Sequence, residues 1–267
     1  MLPSFLVIGA PRAGTTWIAK NLSEHPSVFV PFKKEIHFFD SYYDRGQAFY
    51  ESYFDEAGQA AAVGEATPAY LHKPEVAERL HAMLPNARLI VSLRNPVERV
   101  YSRYWKSRGQ YSENENLTFE EKLASKPLFI EEGFYIDHLE RYLALFPREQ
   151  MLFLFFDDLK SDPERFMADI YRFIGVDETF KSALVDHQIN AGAGQKLLVR
   201  SQAAFWAGRA FRYVGLHGLA QQLEKSNAAE LPPMAESTRR KLIETYAEKN
   251  RRLAELTGRD LSHWNEF

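Results

Sequence analysis

The chain has 267 residues, 45% of them hydrophobic, and its formal net charge of −3 gives no global attraction to nucleic acid or to an anionic membrane. It has no cysteine, which excludes disulfides, thiolate metal sites and a cysteine nucleophile. No apolar run reaches the roughly 18 residues of a transmembrane helix, and no basic segment precedes the apolar start as in a signal peptide, so we expect a cytoplasmic protein without a transmembrane segment.

Short apolar segments alternate with segments of helical periodicity, which predicts a mainly parallel sheet with helices on both faces. The predicted strands are residues 2–8, 28–30, 62–65, 88–94 and 151–156. The predicted helices are residues 15–24, 47–53, 74–84, 96–107, 135–145, 163–174 and 236–256. No segment rich in glycine, proline or serine divides the chain, so we expect residues 1–267 to form one α/β domain with about five strands.

The first predicted strand runs into a turn with the Gly-x4-Gly spacing of a phosphate-binding P-loop, from Gly9 to Gly14. Thr15 stands where the P-loop lysine would follow, and the nearby cation is instead Arg12. Such a loop presents backbone N–H groups and a helix N-terminus to an anion. Because the lysine that grips a β/γ-phosphate is missing, we expect a nucleotide without a triphosphate. The structural alternative is a strand-to-helix turn that needs glycine only for its backbone geometry.

A second candidate site follows the predicted strand at 88–94. Arg94 ends this strand at the carboxyl edge, where open α/β sheets bind ligands, and Ser102 lies about two helical turns further on. A guanidinium and a hydroxyl group in this arrangement favour a phosphate clamp. The alternative is an amphipathic surface helix with salt bridges.

The segment Lys33-Lys34-Glu35-Ile-His37-Phe-Phe-Asp40 contains the candidate proton acceptors. Glu35 and His37 are two residues apart, so in an extended segment their side chains project to the same side. Either group could take a proton from a hydroxyl. The structural alternative is a solvated run of charges before two core phenylalanines.

Two further sets of ionisable residues favour structural roles. Asp157 and Asp158 follow an apolar strand, like the magnesium-binding Walker B acids of NTPases, but without the P-loop lysine we favour acids that cap the next turn. The other histidines lack the short spacing of metal ligands, so we predict no metal site. They are His25, His72, His81, His138, His187, His217 and His263.

In their order and spacing these motifs resemble those of the sulfotransferase family that uses 3′-phosphoadenosine 5′-phosphosulfate (PAPS). The segment from Gly9 to Trp17 is similar to the family's 5′-phosphosulfate loop, and Arg94 and Ser102 match the pair that holds the 3′-phosphate. Other motifs are similar to the glycan-directed, heparan-sulfate type branch and to bacterial members. They are Lys34-Glu35-Ile-His37-Phe-Phe-Asp40, Thr67-Pro68-Ala-Tyr70, Gly133-Phe-Tyr135, Phe155-Phe-Asp-Asp-Leu159 and Gly258-Arg-Asp-Leu-Ser-His-Trp264.

The resemblance implies a P-loop-NTPase-like three-layer α/β fold and transfer of the sulfuryl group from PAPS to an acceptor hydroxyl by in-line displacement. It implies that Glu35 is the base, with His37 as its assistant or rival, and that Arg12 stabilises the leaving phosphate. The family usually carries lysine at this last position, and arginine is a poor proton donor, so we expect Arg12 to act electrostatically. The nucleotide-binding residues implied are Arg12, Ala13, Gly14, Thr15, Thr16, Trp17, Arg94, Ser102, Tyr135 and Arg200.

The acceptor is less well defined than the donor. The Glu35 segment favours a sugar, whereas the aromatic-rich segment 38–54 would also suit a pocket for a lipid or natural product, and the polar loop 109–118 is expected to gate it. Two other function classes stay open. A P-loop small-molecule kinase would use ATP and Mg²⁺ with Arg12 and Asp157 or Asp158, and a non-catalytic module would only bind the nucleotide.

Overall fold

The centre of the fold is a five-stranded sheet in which every neighbouring pair of strands is parallel. The computed structural model describes residues 1–32, 35–110, 117–185, 198–199, 202–213, 215–229 and 232–266. The strands are β1 (Phe5–Gly9), β2 (Val28–Phe29), β3 (Ala62–Ala66), β4 (Arg88–Leu93) and β5 (Met151–Phe155). Their spatial order is β2-β3-β1-β4-β5, which confirms the predicted α/β class.

Helices connect these strands and continue to the end of the chain. They are α1 (Thr15–Glu24), α2 (Phe38–Ser41), α3 (Gly46–Glu51), α4 (Val76–Met83), α5 (Pro96–Gln110), α6 (Phe119–Ser125), α7 (Leu128–Glu131), α8 (Tyr135–Leu143), α9 (Phe156–Ser161), α10 (Pro163–Ile174), α11 (Gln202–Tyr213), α12 (His217–Asn227) and α13 (Glu236–Thr257). Short 3-10 helices are Tyr43–Arg45, Ser52–Ala57, Pro68–His72, Arg148–Gln150 and Ser262–Asn265. A small antiparallel pair joins β6 (Leu198–Val199) to β7 (Ala228–Ala229).

Both faces of the central sheet are covered. Successive residues of β1 alternate between two apolar clusters, with Leu6 and Ile8 in one and Phe5 and Val7 in the other, and all four are fully buried. Strand side chains point alternately to opposite faces, so a strand that is apolar throughout requires cover on both sides. The result is the three-layer arrangement that the sequence predicts.

The structure departs from the predicted elements around residues 109–118. The polar stretch 109–118 is not a loop throughout, because α5 extends to Gln110 and Thr118 begins α6 through a capping box with Glu121. Residues 111–116 lie outside the described residues. In the part of the chain that the structure describes, no helix combines the length and apolarity needed to cross a membrane.

Candidate active site

The loop between β1 and α1 has the backbone of an anion-binding turn. Gly14 adopts a φ of 87°, in the left-handed region that glycine enters without steric cost. A side chain here would also collide with Leu159, whose Cδ2 lies 2.7 Å from the position of a Cβ. Because Gly14 is the N-cap of α1 and no side chain caps this helix, the N–H groups of its first turn, including those of Thr15 and Thr16, face the loop.

Arg12, from the first candidate site, meets Arg94 and Ser102, from the second, beside this loop. The Arg12 Nε donates a hydrogen bond to Ser102 Oγ at 3.0 Å, and Arg94 Nη1 donates to the Arg12 carbonyl at 3.3 Å. Arg94 Nε is buried without a hydrogen-bond partner among the described residues. Such an orphaned donor beside two further donors fits an anionic ligand that accepts from all of them.

The electrostatic environment of Arg12 also favours an anion. Burial, together with the nearby charges of Arg94 and Arg103, lowers the pKa of Arg12 from 12.5 to about 10, so it stays protonated at neutral pH. In the described ranges no ion pair links Arg12 to a carboxylate. A desolvated guanidinium that has no carboxylate partner of its own and lies beside two further arginines is stabilised when a multiply charged anion binds.

The predicted base segment lies at the same edge of the sheet. The Glu35 backbone N–H donates to the carbonyl of Ala66 at 3.2 Å, and Ala66 is paired with Val7 of the neighbouring strand β1. The carboxyl ends of parallel strands meet at one edge. Glu35 therefore lies beside the end of β3, and Arg12 and Arg94 follow the ends of β1 and β4, the next two strands in the order of the sheet.

Glu35 and His37 do converge, but the predicted extended conformation is wrong. Their φ angles are 64° and 57°, both left-handed, so the chain turns at each residue. The two side chains meet across that turn, with His37 Nε2 at 3.6 Å from Glu35 Oε2. The Glu35 side chain is 43% exposed and so is accessible to an acceptor.

Asp40 completes this group and is a residue that the sequence interpretation gave no role. Its carboxylate lies 3.0 Å from His37 Nδ1, and its side chain is only 5% exposed. The spacing of three residues, within a segment that enters α2, is the signal that could have found it, since such residues share one helix face. His37 is thus held between a buried carboxylate and the accessible carboxylate of Glu35.

This arrangement predicts an imidazolium ion at His37. Hydrogen bonds with Asp40 and then Glu35 raise the pKa of His37 from 6.5 to about 9, against the opposing effect of burial. A raised pKa means that the stabilisation from these contacts is fully present below pH 6.5 and is lost as the pH rises through about 9. We expect an NMR titration of the His37 ring, assigned with His37→Gln, to show a midpoint near 9. A midpoint at the ordinary value of 6.5 would contradict this geometry.

Backbone strain singles out the same residues. Among the residues that the structure describes, the non-glycine positions with positive φ are Arg12, Glu35 and His37. These are the three residues that the resemblance assigns to catalysis. Left-handed conformations of such residues cost on the order of 1 kcal/mol each, and they concentrate at functional sites, where surrounding contacts hold them.

A buried ion-pair network supports the wall formed by α5. The Arg99 side chain is fully buried, and its Nη1 donates to Glu132 Oε2 at 2.8 Å while Nη2 donates to the Phe129 carbonyl at 2.7 Å. Arg103, next to Ser102, donates to the other Glu132 oxygen at 3.3 Å. Sequence patterns did not identify Glu132, whose single carboxylate holds two arginines of α5 in position.

Breaking this network should destabilise the fold strongly. We expect Arg99→Met, which keeps most of the side-chain volume, to lower the free energy of unfolding by about 3–5 kcal/mol in urea denaturation, because Glu132 is left buried with a single partner. The matched control is Arg172→Met, which removes an exposed ion pair with Asp169 and should change stability far less. Equal effects of the two changes would refute a structural role for the buried pair.

Asp157 and Asp158 are engaged by the C-terminal segment. They lie in the first turn of α9, not at the end of β5. Asp157 Oδ2 accepts from Trp264 Nε1 at 3.1 Å and lies 3.3 Å from His263 Nε2, and Asp158 pairs with Arg259. These contacts support the structural reading of the two acids. Within the described ranges, no group of three or more His, Cys, Asp or Glu side chains is arranged to hold a metal ion.

The remaining predicted nucleotide-binding residues have varied positions. Tyr135 is buried and its hydroxyl donates to the Arg94 carbonyl at 2.8 Å, which places it directly behind the clamp. Ala13 is buried and its carbonyl accepts from Ser92 at 2.6 Å. Trp17 is 8% exposed and packs edge-on against Phe166. Arg200, and Lys33 and Lys34 beside the base, lie outside the described residues.

The aromatic segment 38–54 combines core rings with partly exposed ones. Phe38, Phe39, Tyr50 and Phe54 are each 0–1% exposed, so these four rings do not line an open pocket. Tyr43, Phe49 and Tyr53 are partly buried, and Tyr42 is 42% exposed. The ring-rich composition is explained by packing between α2, α3 and the sheet, where aromatic side chains bury large areas.

Comparison with known proteins gives consistent matches. A family model described as a sulfotransferase domain matches residues 2–192. Human heparan sulfate glucosamine 3-O-sulfotransferase 6 is 30% identical over 266 residues, which cover 97% of this chain and 72% of the relative. Mouse heparan sulfate glucosamine 3-O-sulfotransferase 3A1 is also 30% identical, and the match covers 97% of this chain and 64% of the mouse protein.

A solved structure is similar along the entire chain. The crystal structure of a sulfotransferase from Alicyclobacillus acidocaldarius superposes with a TM-score of 0.75 at 26% sequence identity. The match covers 100% of both chains.

Proposed function

The chain belongs to the sulfotransferase family, and from this premise we propose that it moves the sulfuryl group of PAPS to a hydroxyl group of a glycan or small-molecule acceptor. The observation that carries the proposal is the meeting of Arg12, Arg94 and Ser102 at the carboxyl edge of β1 and β4, the edge on which the strained base segment also lies. The whole chain is proposed to act as one catalytic unit.

The donor would be held by charge and backbone N–H groups. The first turn of α1 and Arg12 are suited to the 5′-phosphosulfate, since they combine a helix N-terminus with a desolvated guanidinium. Arg94 and Ser102 are suited to the 3′-phosphate, because Arg94 retains a buried N–H without a partner among the described residues. Arg200 is proposed as a further 3′-phosphate ligand.

The reaction balances as an in-line displacement at sulfur. The acceptor oxygen forms the new S–O bond while the bond between sulfur and the 5′-phosphate oxygen breaks, and its electron pair stays on that phosphate. The hydroxyl proton passes to Glu35, and PAP leaves with the extra negative charge. Arg12 stabilises this charge as it develops, which lowers the barrier if the guanidinium is already oriented, as its bond to Ser102 favours.

Glu35 suits the role of base better than His37. His37 is held as an imidazolium between Asp40 and Glu35, so at neutral pH it has no lone pair with which to accept a proton. Its contact with Glu35 would instead orient that carboxylate toward the acceptor. The imidazolium also provides a positive charge close to the attacking hydroxyl.

Similarity to the relatives favours a sugar hydroxyl as acceptor. Their names describe O-sulfation of glucosamine in heparan sulfate. The partly exposed carboxylate of Glu35 would be accessible to a hydroxyl on a large acceptor, whereas the four buried aromatic rings of segment 38–54 are not available to contact a lipid. The proposed order of preference is therefore a glycan first and a small natural product second.

Donor use and acceptor class can be tested together. The protein is incubated with PAPS labelled in its sulfuryl group, a panel of glycan, lipid and phenolic acceptors, and excess chelator. We expect PAP release and label transfer to a glycan hydroxyl in the presence of the chelator, because the fixed cations need no metal. Phosphoryl transfer from ATP that the chelator abolishes, with no use of PAPS, would refute the proposal and support a kinase.

A further inference from the structure

Glu65 is a buried carboxylate that the proposed chemistry does not use. It lies near the end of β3, is 1% exposed, and accepts three hydroxyl hydrogen bonds. The donors are Tyr50 at 2.7 Å, Thr67 at 2.6 Å and Tyr70 at 3.2 Å. Removing a carboxylate from water has a high free-energy cost, even when hydroxyl groups donate hydrogen bonds to it. The presence of a buried acid at this position of β3 therefore calls for an explanation.

The two tyrosines bound to Glu65 both contact the base segment. The Tyr50 ring stacks on Phe38, with centroids 4.4 Å apart and planes at 13°. The Tyr70 hydroxyl accepts a hydrogen bond from the Phe39 N–H at 3.3 Å. Phe38 and Phe39 are the two residues between His37 and Asp40, so both tyrosines act on the turn that carries the catalytic group.

The direction of these hydrogen bonds is fixed by the carboxylate. An ionised carboxylate only accepts, so the Tyr70 proton points toward Glu65 and leaves the oxygen lone pairs for Phe39. The hydrogen bonds that link Phe39, Tyr70 and Glu65 therefore run in one direction. The Phe39 N–H donates to the Tyr70 oxygen, and the Tyr70 O–H donates to Glu65. These hydrogen bonds also end in a segment whose φ values at Glu35 and His37 are strained and must be held by outside contacts.

We propose that Glu65 is a positioning residue for the base segment and acts on it through Tyr70 and Tyr50. In this role it never contacts the substrate. It keeps the backbone at Phe38 and Phe39 fixed, so that His37 lies between its two carboxylates and Glu35 keeps its direction. The inference rests on the proposed function, since it takes Glu35 as the base.

The most informative variant is Tyr70→Phe, which keeps the ring but removes the link between Glu65 and the Phe39 amide. We expect kcat to fall between about tenfold and 100-fold, because small displacements of a base are costly. The KM for PAPS and the affinity for PAP should stay at the wild-type value, since the donor loop is untouched. The matched control is Tyr171→Phe, which removes the buried bond from Tyr171 to the Asn21 carbonyl and should leave kcat unchanged.

Glu65→Gln adds a second test of the same hydrogen bonds. The amide replaces one of the two acceptor oxygens with an N–H donor, which opposes the hydroxyl donors of either the two tyrosines or Thr67, so the network is broken on that side and we expect a selective loss of kcat. Tyr50→Phe, which keeps the stack on Phe38, should have a smaller effect. Wild-type kcat in Tyr70→Phe, or a loss of PAP binding equal to the loss of kcat, would overturn the proposal.

Failure of this proposal is distinguishable from failure of the proposed function. If Glu35→Gln abolishes turnover while Tyr70→Phe and Glu65→Gln retain it, Glu35 is still the base and only the positioning role is wrong. If Glu35→Gln retains turnover, the assignment of the base is wrong, whatever the tyrosine variants do.

Discussion

Glu35→Gln is expected to lower kcat by roughly 100- to 10,000-fold, the range that a positioned general base contributes. The amide has nearly the same shape as the carboxylate but takes no proton from the acceptor hydroxyl. The affinity for PAP, measured by calorimetry, should not change, because the described residues proposed to contact the donor lie on the β1–α1 loop, the β4–α5 turn and α5. Turnover is measured with labelled PAPS under saturating donor.

Two companion variants make this result specific to Glu35. Asp44→Asn removes an exposed carboxylate from the adjoining 3-10 helix and should leave kcat unchanged. His37→Gln should lower kcat less than Glu35→Gln does, since it removes only the group that orients the base. A larger loss in His37→Gln than in Glu35→Gln would reverse the two roles and make the histidine the base.

Arg12→Met is expected to lower kcat by about 100- to 1,000-fold, as loss of one preorganised donor to a developing oxyanion does elsewhere. The leaving phosphate gains charge only as the S–O bond breaks, so the effect should fall mainly on kcat and less on the KM for PAPS. Arg12→Lys should recover most of the activity, because the proposed role needs a positive charge and the family usually carries lysine at this position.

The control for charge loss is Arg148→Met, far from the carboxyl edge. Arg148 bonds the carbonyl of Met151 at the start of β5, so its removal changes the net charge equally without touching the candidate site. An Arg12→Met variant with unchanged kcat and only a raised KM would contradict transition-state stabilisation. It would leave Arg12 as a residue that binds the donor in the ground state.

The strand, loop and helix at the N-terminus were predictable because local rules determine them. The predicted bounds of the first helix agree with α1 (Thr15–Glu24), and the predicted turn ends at Gly14, whose φ is left-handed. Arg94 and Ser102 were also predictable, since a residue at the end of a parallel strand must reach the ligand-binding edge. In both cases only one strand and the helix after it are needed to relate the position of a residue in the sequence to its place in the fold.

The base segment shows where such reasoning fails. An extended chain would bring Glu35 and His37 to one side, and the structure brings them together by turning at both residues. Positive φ angles are uncommon at non-glycine residues, so the local sequence gives no reason to expect them at both Glu35 and His37. The conformation is imposed by contacts from distant residues, including the Ala66 carbonyl and the Tyr70 hydroxyl, which no local pattern reveals.

Buried charges were equally invisible to sequence patterns. Glu65 and Glu132 stand in segments that read as an ordinary strand and a short helix end, and each proves to be a hub that accepts from several donors. Their partners are separated from them by up to 33 residues along the chain. Only the assembled fold shows which acidic side chains are exposed and which are buried and accept several hydrogen bonds.

The central claim is that the β1–α1 loop, the β4–α5 turn with Arg94, and α5 with Ser102 bind the two phosphate positions of PAPS. Calorimetric titration of the protein with PAP, adenosine 5′-monophosphate and ATP with Mg²⁺ tests it most directly. We expect PAP to bind roughly 100-fold more tightly than the monophosphate, since charge-assisted hydrogen bonds to the 3′-phosphate contribute about 1.5–3 kcal/mol each, and this advantage should disappear in Arg94→Met. Tight binding of ATP with Mg²⁺ and no preference for PAP would contradict the account.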